Sequence, residues 1–482
     1  MKRTFSALLA LSLMLSLSAC QSDDGTADTT PTDTDTQTVT AATTEVDIYA
    51  ELPTGDFTGE EFVFANEIGS GSWSILMLDC ENTGEVLDSA VFNRNRAVEE
   101  KLGITIKVEE YATGGALLDA LNRNVMANED PYDVYDIPAN VVAPLILQDY
   151  FVDVDTLGLD LEKPWWNDTV MDSLSFNDTC YSIAGDLSIM LWEASYGLVY
   201  NKDMAERLGI PDQYELVKDG KFTLDSVYEA MSLAYQDDGN SEVDSADTFG
   251  MTGNLRLMTY SMIAGGESII PKDSDGLPYF EAPSERLIEM YEKIFDVYFD
   301  NTNVCLANKL VFKDKSKNWH SIFTDGQALY YFEPIGSNVK LRDVNFDFVF
   351  LPMPKYDEAQ AEYITPILQF AHTMHVTKAN DNHEMISVVL ENLAAESHRN
   401  VRPAYFEKVL EGKRTSDDRD IEMFDIIFDN QVFNPAAVYN WGKMADTLNN
   451  TALSGKREIT SSIASITSVI QSDIKATIEY YS

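Results

Sequence analysis

Residues 98–108 read Val98-Glu99-Glu100-Lys101-Leu102-Gly103-Ile104-Thr105-Ile106-Lys107-Val108. The first half closes a helical pattern and the second opens a strand, with a glycine between them. Upstream, Leu87, Val91, Val98 and Leu102 fall on one face of a helix over 85–102. Gly103 supplies the left-handed residue that caps it, and Ile104, Ile106 and Val108 then alternate as a half-buried strand does. Further upstream, residues 61–65 have the length and apolar content of a buried strand. Downstream, a helix over 115–126, a strand over 132–137 and a helix opening at Pro138 toward Leu147 repeat the unit. Three strands separated by helices predict an α/β fold, with a parallel sheet joined by right-handed crossovers.

The chain has 482 residues, too many for one typical core, so two or more lobes are expected. A hydrophobic content of 45%, with 11% aromatics, is enough to fold them. Ile386, Val389, Leu390 and Leu393 form one apolar helical stripe, and Ile463, Ile466, Ile470, Ile474 and Ile478 form another near the C-terminus. The formal net charge is -46. Nothing offers phosphates a cationic face, so nucleic acid is excluded as a partner, and the acidity serves solubility.

The N-terminus carries a separate message. Lys2 and Arg3 precede an apolar run from Leu8 to Leu17, relieved only by small residues. That run is about half of the roughly 20 apolar residues a membrane-spanning helix needs, which makes it an export signal rather than an anchor. Leu17-Ser18-Ala19-Cys20 resembles the lipobox of bacterial lipoproteins. The resemblance implies that residues 1–19 are a signal peptide, and that the Cys20 thiol is alkylated with a diacylglycerol. Two acyl chains at about 0.8 kcal/mol per buried CH2 hold a protein stably where one does not. The mature protein is then expected at the outer face of the cytoplasmic membrane, lipid-anchored on a Gram-positive cell surface, with no other membrane attachment. Residues 20–56, rich in Thr and Asp, read as a self-repelling linker, with folded structure beginning near Phe57.

With Cys20 committed to lipid, Cys80, Cys180 and Cys305 permit at most one disulfide, and three unpaired thiols are the expected state. The five histidines form no HExxH and no CxxC occurs, so no metal site and no cofactor is expected. Asp273-Ser274-Asp275-Gly276 lacks the glutamate of a calcium loop and reads as a hairpin turn.

From residue 91 onward, a series of segments resembles bacterial extracellular solute-binding proteins of the sugar-binding, maltose-binding-like type. The helix and strand over 91–107 begin it. Asp149 to Leu157, Pro164-Trp165-Trp166-Asn167, Tyr181 with Gly185 and Asp186, and Leu198-Val199-Tyr200-Asn201-Lys202-Asp203 follow in the family's order. Gly209 and Pro211, Phe222-Thr223-Leu224, Phe323 to Leu329, and Leu351-Pro352-Met353-Pro354-Lys355 complete it. The resemblance implies a two-lobed periplasmic-binding-protein type II fold with discontinuous lobes and a hinge. Lobe one would comprise 57–193 and 353–412, and lobe two 194–352 and 413–482.

A carbohydrate exposes C–H faces and rings of hydroxyls, which call for flat aromatic platforms and planar polar side chains. Such groups are expected on loops at the carboxyl ends of strands, where the lobes face each other. The first strand runs into Asn66 and Glu67 and then a glycine-rich loop with Trp73. The hinge strand contains Trp192 and Glu193, and a loop of lobe two carries Asn254 and Arg256. Tyr331 and Glu333 are further candidates in a region that offers no Trp where the maltose-binding pattern has one, and Trp441 stands where sugar-binding relatives carry a stacking aromatic. Trp73 and Trp441 are expected to sandwich a sugar, with Glu193 as polar partner, while Trp165 and Trp166 pack lobe one.

The reading this supports is a monomeric, non-enzymatic ligand-capturing subunit of an ABC importer, binding a sugar or oligosaccharide between closing lobes and presenting it to membrane permease subunits. The alternatives are a surface-anchored carbohydrate-active hydrolase, which would need two opposed carboxylates, and a binding protein for a non-sugar solute such as a peptide.

Overall fold

The computed structural model describes residues 47–67, 78–240, 242–307, 312, 314, 316–410 and 417–482. Trp73 and the proposed lipidation site Cys20 lie outside the described residues. Eleven strands are described: β1 (Glu61–Glu67), β2 (Thr105–Tyr111), β3 (Val134–Pro138), β4 (Tyr196–Asn201), β5 (Phe249–Gly253), β6 (Val304–Leu306), β7 (Ala328–Pro334), β8 (Phe348–Leu351), β9 (Thr365–Pro366), β10 (His372–His375) and β11 (Gln431–Val432).

The strand–helix repeat around Gly103 folds as its pattern predicts. The helix Val86–Leu102 buries Leu87, Val91, Val98 and Leu102, and Gly103 ends it at φ 73°, donating its amide to the Glu99 carbonyl. β1 runs parallel to β2, with Glu61 opposite Thr105, and parallel to β3, with Phe64 opposite Val134. The sheet order is β10-β3-β1-β2, and β10 joins from far along the chain as an antiparallel edge.

The second sheet has the order β6-β5-β7-β4-β8. β5 is parallel to β6 and β7, while β4 is antiparallel to β7 and β8. β4 is buried at every residue, and Asn201 at its end caps the helix Lys202–Leu208, which Gly209 terminates. The two sheets are the cores of two lobes. The chain leaves the first sheet after β3, completes the second with β4 to β8, and returns through β9 to β10; β9 pairs in parallel with β11.

Trp165 and Trp166 pack as expected, both buried and both donating their indole N–H to Glu391 on the helix His383–Glu396. Ile386, Val389, Leu390 and Leu393 of that helix are all in the core, as are Ile463, Ile470 and Ile474 of the C-terminal helix Thr460–Tyr481. The Asp273–Gly276 segment is a hairpin turn, closed by the Asp273 amide on the Leu277 carbonyl at 2.8 Å. Cys80, Cys180 and Cys305 are free thiols. Among the described residues no helix is long and apolar enough to cross a membrane.

Trp192 and Glu193 are not in the hinge strand that the sequence predicts for them; they belong to the short helix Ile189–Glu193, and the strand starts only at Tyr196. The apolar run here is buried on every side, and such a run carries no period that separates helix from strand.

Candidate functional site

Where β5, β6 and β7 end, their carboxyl termini open into a cavity of about 560 Å³ lined by Asn254 and Arg256 after β5, Ala307 after β6, and Glu333 at the end of β7. That is the face of an α/β sheet at which loops are free to carry recognition groups. Gly253 permits the arrangement. A Cβ there would lie 2.7 Å from the Phe332 carbonyl oxygen, so β5 closes on β7 only with glycine, and Asn254 is held against the neighbouring strand. Asn254 fixes its own loop by accepting from the Arg256 amide at 3.0 Å, and its amide group donates to the Tyr196 hydroxyl at 3.2 Å.

Period-two alternation puts Tyr331 and Glu333 on the same face of β7, and both meet the helix Trp319–Thr324. The Trp319 indole N–H donates to Glu333 Oε1 at 2.8 Å. Burial raises the Glu333 pKa, and hydrogen bonds from Trp319 and Asn254 oppose the rise. Tyr331 is buried one layer behind, its ring stacked on Phe323 and its hydroxyl against His320 Nδ1. Lys340 Nζ donates to the other ring nitrogen of His320 at 3.0 Å. Burial, reinforced by the Lys340 charge, pushes the His320 pKa down to about 4. The imidazole is therefore neutral at physiological pH, and these two contacts assign its proton to Nδ1.

The returning segment between β9 and β10 supplies Leu368 and Phe370 to the cavity wall. Phe370 is 42% exposed, and the Arg256 guanidinium sits over its ring at 5.6 Å. Tyr260 ties its helix to this segment through a 2.9 Å bond from its hydroxyl to Gln369. Asn449 docks the helix Met444–Leu453 by accepting from the Thr259 amide at 3.1 Å, which brings Asp446 and Asn450 to the rim.

On the first sheet, Asn66 and Glu67 end β1 beside Asp136 of β3 and His372 of β10. His372 Nδ1 meets Asp136 Oδ2 at 3.0 Å, and its Nε2 lies 3.9 Å from Glu67 Oε1. Asn66 and Asp136 are 2% and 1% exposed, yet among the described residues one side-chain oxygen of each has no hydrogen-bond partner, and the same holds for Asn140 Oδ1 on the following helix. Buried acceptors normally find donors, so three unanswered ones at the carboxyl end of one sheet are chemically significant. The Asn140 amide bonds to the Gln369 carbonyl at 3.0 Å, so this group and the cavity flank one segment.

A second cavity, about 610 Å³, is lined by Trp166, Asp186, His398, Arg402, Asp425 and Asp429 among others. Its charges answer one another, with Arg402 2.7 Å from Asp429 and 3.2 Å from Asp425, and His398 paired to Asp186. The first cavity, with the exposed Phe370 and half-buried Trp319 on its wall and no ion pair across it among the described residues, is the better candidate.

Of the residues singled out in the sequence, Asn254, Arg256 and Glu333 line that cavity, and Asn66 and Glu67 lie at the carboxyl end of the other sheet. Tyr331 acts only through His320. Trp73 lies outside the described residues, and the structure does not bring Trp192, Glu193 or Trp441 to the cavity. Trp441, expected as a platform, is 2% exposed, packed on Phe176 and Tyr439, with its indole N–H on Thr477. Trp192 packs against Tyr405 and Phe428, and Glu193 is buried beside them. Sequence reasoning missed Tyr196, Trp319, His320, Lys340 and Phe370. A Trp does stand next to Glu333 after all, supplied by the preceding helix instead of the strand.

A family model described as bacterial extracellular solute-binding protein matches residues 94–384. No curated protein matches the sequence. Similar folds are found in an ABC substrate-binding protein of Listeria monocytogenes in complex with cycloalternan (TM-score 0.53, 13% identity, 86% of this chain and 99% of that one). UspC of M. tuberculosis has a TM-score of 0.58 at 12% identity, over 86% of this chain and all of the other. The maltose/maltodextrin-binding domain MalE of Bdellovibrio bacteriovorus, bound to maltotriose, has a TM-score of 0.51 at 14% identity, over 86% of this chain and 100% of that one.

Proposed function

The chain belongs to the bacterial extracellular solute-binding proteins, and from that premise we propose that it is the ligand-capturing subunit of an ABC importer for a sugar or oligosaccharide. The observation that carries this reading is the cavity itself. Its 560 Å³ suits a small saccharide, and it combines an exposed Phe370 and a half-buried Trp319 with the planar polar groups of Asn254, Arg256 and Glu333. Similar folds bound to cycloalternan and maltotriose support it. Lobe one is assigned to 57–193 and 353–412, and lobe two to 194–352 and 413–482. Ligand held between Asn66 and Glu67 of one lobe and the cavity of the other favours the closed state by its differential affinity, and the permease reads that closure.

The expected result is a rise in melting temperature with the cognate sugar and none with non-ligands. At 100 times its dissociation constant a ligand adds about 2.7 kcal/mol to apparent stability. Chromatography of the recovered sugar separates binder from hydrolase, because a binder returns it intact; cleavage products would overturn the reading.

The anchor is a separate part of the proposal. Cys20 carries the lipid, residues 1–19 are removed, and residues 20–56 space the folded part from the membrane. Replacing Cys20 by Ala is expected to move the protein from the detergent phase to the aqueous phase with an unchanged melting temperature. Continued partition of the variant into detergent would refute the assignment.

A further inference from the structure

The chain holds 80 acidic residues against 34 Lys and Arg, yet the full charges on the cavity wall are balanced, Arg256 and Lys340 facing Glu333 and Asp446. The four are not equally engaged. The Glu333 carboxylate is buried and already accepts from Trp319 and Ser337. Asp446 is exposed at the rim. Arg256 forms no ion pair among the described residues; its guanidinium lies over the Phe370 ring and borders the Tyr260 hydroxyl. Lys340 is solvent-exposed; it donates to the neutral His320 ring, and its charge reaches Glu333 without forming an ion pair among the described residues. Neither cation is locked in an ion pair among the described residues, in a chain with more than two acids for every base, so both are available to an anion from outside. The helix Leu257–Ala264 also starts at Arg256, so its partial positive end adds to the same wall.

We propose, resting on the sugar-binding reading above, that the solute is an acidic saccharide, a uronate whose carboxylate is held by Arg256 and Lys340 while its ring lies on Phe370. The planar guanidinium fork matches a carboxylate, and Lys340 adds a mobile second charge.

The test uses the full chain in detergent solution, titrated calorimetrically with a panel of matched uronate and neutral oligosaccharides at low and high salt. The expected result is a preference for the acid of about tenfold or more, weakened by salt, since the exposed part of the attraction is screened. Arg256→Gln and, separately, Lys340→Gln should each reduce that preference by about tenfold. Lys340 is exposed, so its variant keeps the test valid even where loss of Arg256 disturbs the fold. Equal affinity for acid and neutral partner, or a preference that survives both substitutions, overturns the uronate assignment and leaves sugar binding standing. Binding of no saccharide in the panel removes the sugar reading, and the uronate with it.

Discussion

Trp441→Ala is expected to destabilise the ligand-free protein by about 3–5 kcal/mol, the cost of removing a buried tryptophan. Its ring is 2% exposed and stacks on Tyr439 at a centroid distance of 5.2 Å, with Phe176 at 5.8 Å on another side. Its indole N–H donates to Thr477 at 3.2 Å, so the substitution also strands a buried hydroxyl on the C-terminal helix. Neighbouring backbone gives the site little room to collapse. Gly442 adopts φ 56° and lies so close to Ile470 that a Cβ on it would fall 2.3 Å from Ile470 Cγ1. Chemical denaturation in the absence of ligand measures the effect. A loss below about 0.5 kcal/mol, the range of surface substitutions, would mean that Trp441 is solvated and would restore it as a ligand platform.

The contrast between Trp441 and Phe370 shows which parts of this molecule a sequence can disclose. The first sheet was readable because each decision was local. Helix period, a capping glycine and strand alternation follow one another within 87–108, and the parallel register follows from the crossovers. The cavity is a different kind of object. Its wall takes Tyr196, Asn254, Trp319, Glu333, Phe370 and Asn449 from segments far apart in the chain, and no periodicity connects them. Phe370 sits between Gln369 and Ala371 with no pattern to distinguish an exposed aromatic from a core one.

Trp441 did carry a usable signal that pointed the other way. The isoleucines at 463, 470 and 474 make one face of the last helix apolar, and such a face needs a large partner. A lone tryptophan shortly before that helix is the nearest one available. Family position drew attention to Trp441 as a stacking aromatic, whereas packing demand would have assigned it to the core. Arg256 and Glu333 were legible for the opposite reason: charged residues bordering buried strands need a structural or functional partner, and that need is visible without coordinates.

The largest pH effect expected from a single side chain is carried by His375, in the edge strand of the first sheet. It is fully buried in β10, its Nδ1–H donating to the Tyr181 carbonyl at 2.7 Å while Nε2 accepts from Thr373 at 2.8 Å. Both nitrogens are satisfied in the neutral form. Burial, with a smaller push from His372, lowers its pKa to about 3, against an ordinary 6.5. The unfolded chain therefore takes up a proton below pH 6.5 that the native protein refuses. Because the unfolded state binds more protons there, stability falls as pH falls, by up to about 1.4 kcal/mol per unit. Near pH 4 the accumulated loss from this residue is about 3 kcal/mol. The buried carboxylates Glu333 and Glu391, whose pKa values are raised, act with the opposite sign, because the native state protonates them first. The histidine contribution is isolated by comparing wild type with His375→Gln. The variant is less stable at neutral pH, where it loses a fitted ring, and the gap between the two curves should narrow steadily on acidification from pH 6.5 toward pH 4. Parallel curves across that range would show that His375 is protonated as readily in the folded protein as in the unfolded chain.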